Sequence, residues 1–279
     1  MNKSCSILIP NRYSWNGICL TIESILKRTT FPNYKIVVCD NSMAKNNRAC
    51  EPHKVELLDG DDGSRLDYLR EQSRKGNIRL IEILKQRKKY GHGENIKKLL
   101  EKCETDLAML FVSSAEILRG DWLDIIISRI KMDRDLGLAR FREGGNHFDR
   151  CWIAPAYWAN VMLLNMRLYR DFQHKNDWNQ GVIRLSRFKH PEIFEYLPAP
   201  ANSEESPPRV FTDTGWKLYE RLKYKNPNGL KMQSFPSGFL YEWMKLIGGI
   251  DRNSHRPHHP FVQQQLKEVE QRLDKLREQ

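Results

Sequence analysis

The stretch from Thr105 to Trp122, TDLAMLFVSSAEILRGDW, governs how the rest of the chain is read. Its apolar run, Leu107 to Val112, stops abruptly at Ser113, Ser114, Ala115 and Glu116, and Gly120 and Trp122 then open a helical pattern. A continuous apolar run this short, bounded by polar residues, predicts a strand buried on both faces. The carboxyl end of such a strand lies at the edge where open α/β sheets take their ligands. An internal strand closed by an ordinary polar turn has the same local pattern, so the neighbouring segments carry the weight.

Upstream, Ser6 to Ile9 predicts a strand ending at Pro10, with a loop from Asn11 to Gly17. Ile18, Ile22, Ile25 and Leu26 then recur at helical spacing, and Lys27 and Arg28 suit the negative end of a helix. Tyr34 to Cys39 predicts a second strand with Asp40, Asn41 and Ser42 at its carboxyl end, which completes a βαβ unit. Residues 43–63 read as a polar loop whose acidic run, Asp59 to Asp62, lacks the spacing of a calcium-binding loop. Ser64 to Ser73 predicts a helix and Ile78 to Leu84 a third strand. The basic run Gln86 to Lys89 leads into Tyr90-Gly91-His92-Gly93-Glu94-Asn95, a turn opening a helix over Ile96, Leu99 and Leu100. A glycine-rich turn at a helix N-terminus beside basic side chains suits phosphate or ribose.

Downstream, Trp122 to Ile130 predicts an amphipathic helix and Gly137 to Arg142 a strand. The following segment is aromatic (Phe148, Trp152, Tyr157, Trp158, Tyr169, Phe172), a composition that serves packing or a binding wall. Pro198 to Pro208 reads as a mobile low-complexity loop. Thr212 or Asp213 can cap a helix running through Trp216, Leu218, Tyr219 and Leu222, and capping alone would account for Asp213. Val262, Leu266, Val269, Leu273 and Leu276 form a final stripe, long enough to dock on the domain or to pair two chains but not to stand alone.

Composition narrows the class. With 279 residues, 40% hydrophobic and 29% charged, the chain can bury a substantial core. No apolar run approaches the roughly 20 residues of a membrane span. The start, MNKSCSILIP, is too short in apolar residues for a signal peptide, so a cytoplasmic protein is expected. Six scattered cysteines without a Cys-x-x-Cys pair predict reduced core thiols rather than disulfides or a zinc site. The excess of 46 Lys and Arg over 35 Asp and Glu, a net +11, favours an anionic partner: a phosphate-bearing co-substrate, nucleic acid or an acidic polymer.

In their order and spacing these pieces resemble the family 2 glycosyltransferases of the GT-A fold, over roughly residues 4–250. The residues that carry the resemblance are Ile7-Leu8-Ile9-Pro10-Asn11-Arg12, Asp40 in Val38-Cys39-Asp40-Asn41-Ser42, Gly91 or Gly93 with Asn95, and Asp213-Thr214-Gly215-Trp216. The resemblance implies an α/β fold, a Rossmann-like mixed sheet flanked by helices, with C-terminal acceptor-side elements and a terminal helix. It implies a nucleotide-sugar-binding half over 1–136, an acceptor-side half over 137–250 with the mobile loop 198–208, and a linker with an amphipathic helix over 251–279. It further implies an inverting transfer from a nucleotide-sugar, a UDP-sugar favoured, to an acceptor hydroxyl. Asp213 would be the catalytic base. Pro10, Asn11, Arg12, Asp40, Lys88, Gly91, Asn95, Ser113, Ser114 and Lys245 would contact the donor, and Trp152, Trp158 and Trp216 the acceptor.

One departure falls on the opening stretch. The family carries Asp-x-Asp at the end of that strand to hold Mg²⁺ or Mn²⁺, whereas this chain has Ser113 and Ala115, with Glu116 one position out of register. A histidine that in the family often precedes a Gly-Gly is replaced by Lys245-Leu246-Ile247 before Gly248-Gly249. Glu116 and, within His255 to His259, His258 are the remaining metal candidates. The leaving diphosphate gains negative charge that something must neutralise. Cationic side chains (Arg12, Arg87, Lys88, Lys89, Lys245) would do so in a metal-independent enzyme, and a dead site that keeps only the fold is the alternative. Transfer onto a hydroxymethylated nucleic-acid base, a scaffold role and a homodimer through the last helix also stay open at this point.

Overall fold

A computed structural model describes residues 3–11, 15–41, 64–83, 91–142, 151–153, 156–175, 209–211, 232–234, 240–242 and 260–279. Its centre is a seven-stranded sheet. The chain enters through β1 (Cys5–Asn11), crosses by α1 (Trp15–Arg28) to β2 (Tyr34–Asp40), and continues through α2 (Ser64–Arg74) to β3 (Arg79–Glu82). From there α3 (Gly91–Glu101) carries it back across the sheet to β4 (Leu107–Leu110), which lies on the other side of β1. Then follow β5 (Ala115–Ile117), α4 (Trp122–Arg129), β6 (Gly137–Arg142), β7 (Cys151–Ile153), β8 (Ala156–Asn165) and α5 (Met166–Lys175). The remaining described elements are β9 (Arg209–Phe211), β10 (Met232–Ser234), β11 (Leu240–Glu242) and α6 (Pro260–Glu278).

Strand order in the main sheet is β10-β6-β8-β4-β1-β2-β3. The pairs β1–β2, β1–β4, β2–β3 and β6–β10 are parallel, and β8 runs antiparallel to both β4 and β6. The expected mixed sheet is therefore present, and strands from both expected halves of the chain build it. β8 and α5 depart from the sequence expectation, in which their residues form only an aromatic stretch. An antiparallel strand inserted between β4 and β6 has no signature of its own, because a strand buried on both faces shows no alternation in either direction.

Two apolar layers sandwich the sheet, and the two-residue period of the strands assigns each side chain to one of them. Ile7, Ile9, Ile36, Val38, Leu107, Met109, Leu138, Val161 and Leu163 face a layer built with α1, α2, α4 and α6. Leu8, Val37, Cys39, Ala108, Leu110, Ala139, Met162 and Leu164 face the layer of α3 and α5. Burial on both faces explains why β1, β2 and β4 read as unbroken apolar runs. Cys5, Cys19, Cys39 and Cys103 are buried and in no disulfide, as reduced core thiols are. Burial, with Cys103 beside it, pushes the Cys5 thiol well above its ordinary range.

The last helix buries the end of its stripe inside its own chain. Val269, Leu273 and Leu276 are buried in the layer that also holds Ile18, Ile22 and Ile25 of α1. Lys27 donates its ammonium to the Leu276 carbonyl at the end of that helix. Of the two uses open for the stripe, docking on the domain is the one the structure displays. Among the described residues, no helix is long and apolar enough to cross a membrane.

Candidate functional site

The sheet has a topological switch point between β1 and β4. The chain builds outward from β1 to β2 and β3, then crosses back to place β4 on the opposite flank. Helices leaving neighbouring strands in opposite directions open a crevice at the carboxyl ends, the usual ligand position in this architecture.

Pro10 shows how the crevice is shaped. β1 does not stop there, as its sequence suggests, but runs on to Asn11, with Pro10 opposite Cys39 and Asn11 opposite Asp40. Alternate residues of a parallel strand direct their backbone groups to alternate neighbours. The Leu8 carbonyl accepts from Phe111 N–H on the β4 side, and the Asn11 carbonyl accepts from Asn41 N–H on the β2 side. Pro10 therefore faces β4, where it has no N–H to offer. Ladder pairing of β1 with β4 ends at Leu8 opposite Leu110, so no donor is missed and the two strands part there.

At the mouth of this gap, Asn11 Nδ2 donates to Asp40 Oδ2 at 2.6 Å, and both residues are buried. That bond fixes the orientation of the Asn11 amide, leaving its Oδ1 buried with no hydrogen-bond partner among the described residues. Asn95 Oδ1 and Ser114 Oγ are in the same condition among the described residues. Asn95 stands in the second turn of α3, a helix that leaves the carboxyl end of β3 and so begins at this edge. Ser114 follows β4 with Ser113, and both are buried. Burying a polar group without a partner costs about 1–3 kcal/mol, and native proteins keep such groups mainly where a ligand, ion or water completes them. The three lie on elements meeting one sheet edge, which makes that edge the candidate site for a polar ligand. The glycine-rich segment differs from expectation in one respect: Gly91 already begins α3, so Gly93 and Asn95 lie within the helix.

Glu116, one of the remaining metal candidates, lies in the short strand β5, pairs with Tyr241 of β11, and is 2% exposed. Arg28 Nη1 stands 3.3 Å from its Oε1 and Arg272 Nη1 3.1 Å from its Oε2. Both carboxylate oxygens are thus occupied by guanidinium groups. The hydroxyls of Ser113 and Ser114 that remain are weak ligands for a hard divalent ion, which prefers carboxylates. No group of three or more His, Cys, Asp or Glu residues suited to a metal occurs among the described residues. Among the described residues, the end of β4 therefore offers no carboxylate oxygen that is not already held by an arginine.

The structure also identifies residues that sequence reading passed over. Thr21 Oγ1 donates to the Ala115 carbonyl at 2.8 Å and accepts from Ala115 N–H at 3.0 Å. Ser24 Oγ accepts from Ile117 N–H at 3.1 Å. These two hydroxyls of α1 act as a substitute strand along one side of β5, with β11 pairing along the other. Their signal was present in the sequence: polar residues three apart, set between Ile18, Ile22 and Ile25, require buried partners.

Trp152 lies on β7, which pairs in parallel with β9, and Trp158 on β8 opposite Arg140. Arg12, Lys88, Asp213, Trp216, Lys245 and His258 lie outside the described residues, as does the loop 198–208. Phe211, the last residue of β9, precedes Asp213 by two positions, and Glu242, the last of β11, precedes Lys245 by three.

No family model matches the chain, and no curated protein does. Solved structures do. A mannosyltransferase from Pyrobaculum calidifontis, in complex with GDP-Man and Mn²⁺, matches 61% of this chain and 46% of its own at 12% identity and a TM-score of 0.43. TarS of S. aureus, in complex with UDP-GlcNAc, matches 61% of this chain and 47% of its own at 15% identity and a TM-score of 0.39. The glycosyltransferase GlyE of Streptococcus pneumoniae matches 84% of this chain and 45% of its own at 13% identity and a TM-score of 0.44. Each match spans less than half of the solved protein.

Proposed function

We propose that the protein is a glycosyltransferase that moves a sugar from a nucleotide-sugar to an acceptor hydroxyl with inversion, a UDP-sugar being the favoured donor. The observation that carries this reading is that Asn11 Oδ1, Asn95 Oδ1 and Ser114 Oγ, on elements meeting the switch-point edge, are buried without a partner among the described residues. A nucleotide-sugar offers what they need: N–H and hydroxyl donors on base, ribose and sugar. Asp40, bonded to Asn11, adds a carboxylate that favours such donors.

In this reading Pro10, Asn11, Asp40 and Asn95 take the nucleoside side, and Ser113 and Ser114 the sugar side. Asp213 as carboxylate accepts the proton of the acceptor hydroxyl while that oxygen attacks the anomeric carbon and the bond to the diphosphate breaks. The electron pair leaves with the diphosphate, so no covalent intermediate or activated serine is needed. Because the carboxylate at the end of β4 is held by arginines, the charge on the leaving group falls to cationic side chains, with Arg12, Lys88 and Lys245 assigned that task. Trp152, Trp158 and Trp216 are assigned to the acceptor.

Calorimetric titration of UDP, GDP and their sugars, in EDTA and then in Mn²⁺, tests the reading. Binding in EDTA is expected, with Asp40→Ala weakening it. Asp213→Asn should abolish transfer while sparing donor binding. Failure to bind any nucleotide-sugar under both conditions would overturn the reading.

A further inference from the structure

We infer that Glu116 is a positioning residue: clasped by Arg28 and Arg272, it makes the terminal helix α6 a brace for the Ser113–Ser114 corner. This rests on the reading of that corner as part of the donor site.

The corner has little of its own to hold it. After Leu110 the chain leaves the β1 ladder, turns through Ser113 and Ser114, and forms only three residues of β5 before leaving again at Leu118. What immobilises it comes from elsewhere. Thr21 and Ser24 bond the backbone of Ala115 and Ile117. Arg28 reaches both the Glu116 carboxylate and the Ile117 carbonyl. Arg272 takes the second carboxylate oxygen from a position 156 residues away.

The arginines are not equivalent. Arg28 belongs to α1, which is packed against the sheet and against β5 itself. Arg272 belongs to α6, which is seated through Val269, Leu273, Leu276 and the Lys27 contact. Glu116 bonds directly to α6 through Arg272, and it stands two residues from Ser114. Guanidinium groups on both sides fix both of its carboxylate oxygens. Removing one arginine leaves a buried anion half satisfied, and the strand that carries it loosens. Arg272 is half exposed, so replacing it leaves the core of α6 intact.

Amide hydrogen exchange with mass spectrometry on the full-length protein, comparing wild type with Arg272→Gln and Arg272→Lys, tests the inference. In Arg272→Gln, exchange at residues 113–117 should speed by about tenfold, the scale of one charged hydrogen bond, while β2 is unchanged. Arg272→Lys, which keeps a cation, should recover most of the slow exchange. Donor KM should rise several-fold in Arg272→Gln with kcat within about twofold, since the arginine touches no reacting atom. Unchanged exchange at 113–117, or exchange raised uniformly over the sheet, would overturn the inference. A wild-type protein that binds no nucleotide-sugar would count against the transfer reading alone, because the exchange comparison needs no donor.

Discussion

Replacing Asn11 by Asp tests the polar arrangement at the switch point without a substrate in hand. In the native protein the Asn11 amide donates to Asp40 Oδ2 at 2.6 Å, and both side chains are buried. In Asn11→Asp, two carboxylates face each other at that distance. If both were ionised, their repulsion would be about 6 kcal/mol at an effective dielectric of about 20. Holding one proton on the pair at pH 7, about three units above the ordinary Asp value, costs about 4 kcal/mol. The second is the cheaper, so the folded variant keeps a shared proton at neutral pH that the unfolded chain releases.

The sign of the pH dependence follows. Between about pH 4 and pH 7 the folded variant binds more protons than the unfolded chain, so its stability falls as pH rises, by about 1.4 kcal/mol per unit. Urea denaturation of wild type, Asn11→Asp and Asn11→Ala from pH 4.5 to pH 7 measures it. Asn11→Ala removes the donor without adding charge and supplies the reference, expected at about 1–3 kcal/mol below wild type at neutral pH. The gap between Asn11→Asp and Asn11→Ala should widen steadily across that range. A gap that stays constant with pH would refute the burial and proximity of Asn11 and Asp40 together.

Three further outcomes are expected. A Cβ on Gly137 would lie 2.2 Å from the Leu163 carbonyl oxygen, in the backbone of the neighbouring strand β8. Gly137→Ala should therefore lower stability by about 1–3 kcal/mol, and an unchanged urea midpoint would contradict the β6–β8 register. Ser4 donates both its N–H and its hydroxyl to Asp106 Oδ2, at 2.9 and 2.8 Å, and these bonds hold the Asp106 carboxyl below its ordinary range. The contribution is present above about pH 4 and lost as pH falls through the lower folded value, so the stability difference between wild type and Asp106→Asn should close in acid. A difference persisting unchanged to pH 2 would remove that link. Finally, Cys5 and Cys103 should resist an aromatic disulfide reagent in the native protein and react on unfolding; prompt native labelling, located by mass spectrometry, would contradict their burial.

Much of the framework was legible because its signals are local. The unbroken runs at Ile7–Ile9, Ile36–Val38 and Leu107–Leu110 are what strands covered on both faces must look like. Helical spacing placed α1, α2, α4 and α6 within a few residues of their ends. Asp40, Asn11 and Asn95 are candidates through the resemblance, which itself rests on short local motifs. Pro10 was read as a terminator, and only the pairing showed that β4 departs on the side where proline lacks its donor.

The rest depended on which distant segments meet. Nothing near Glu116 in sequence announces Arg28 or Arg272, which are 88 and 156 residues away. From the chain alone Glu116 was a misplaced metal ligand, Arg28 a complement to a helix dipole, and Leu273 a residue that could face a second molecule. Periodicity states that a face must be covered, and composition states that a charge must be compensated; neither names the partner. The partner is chosen by packing, because closing long loops becomes favourable only when many contacts form together. The sequence by itself thus determined the strands, most of the helices and the edge that carries the polar residues. Tertiary structure decided that the carboxylate at that edge is held by arginines and that the last helix is what brings one of them there.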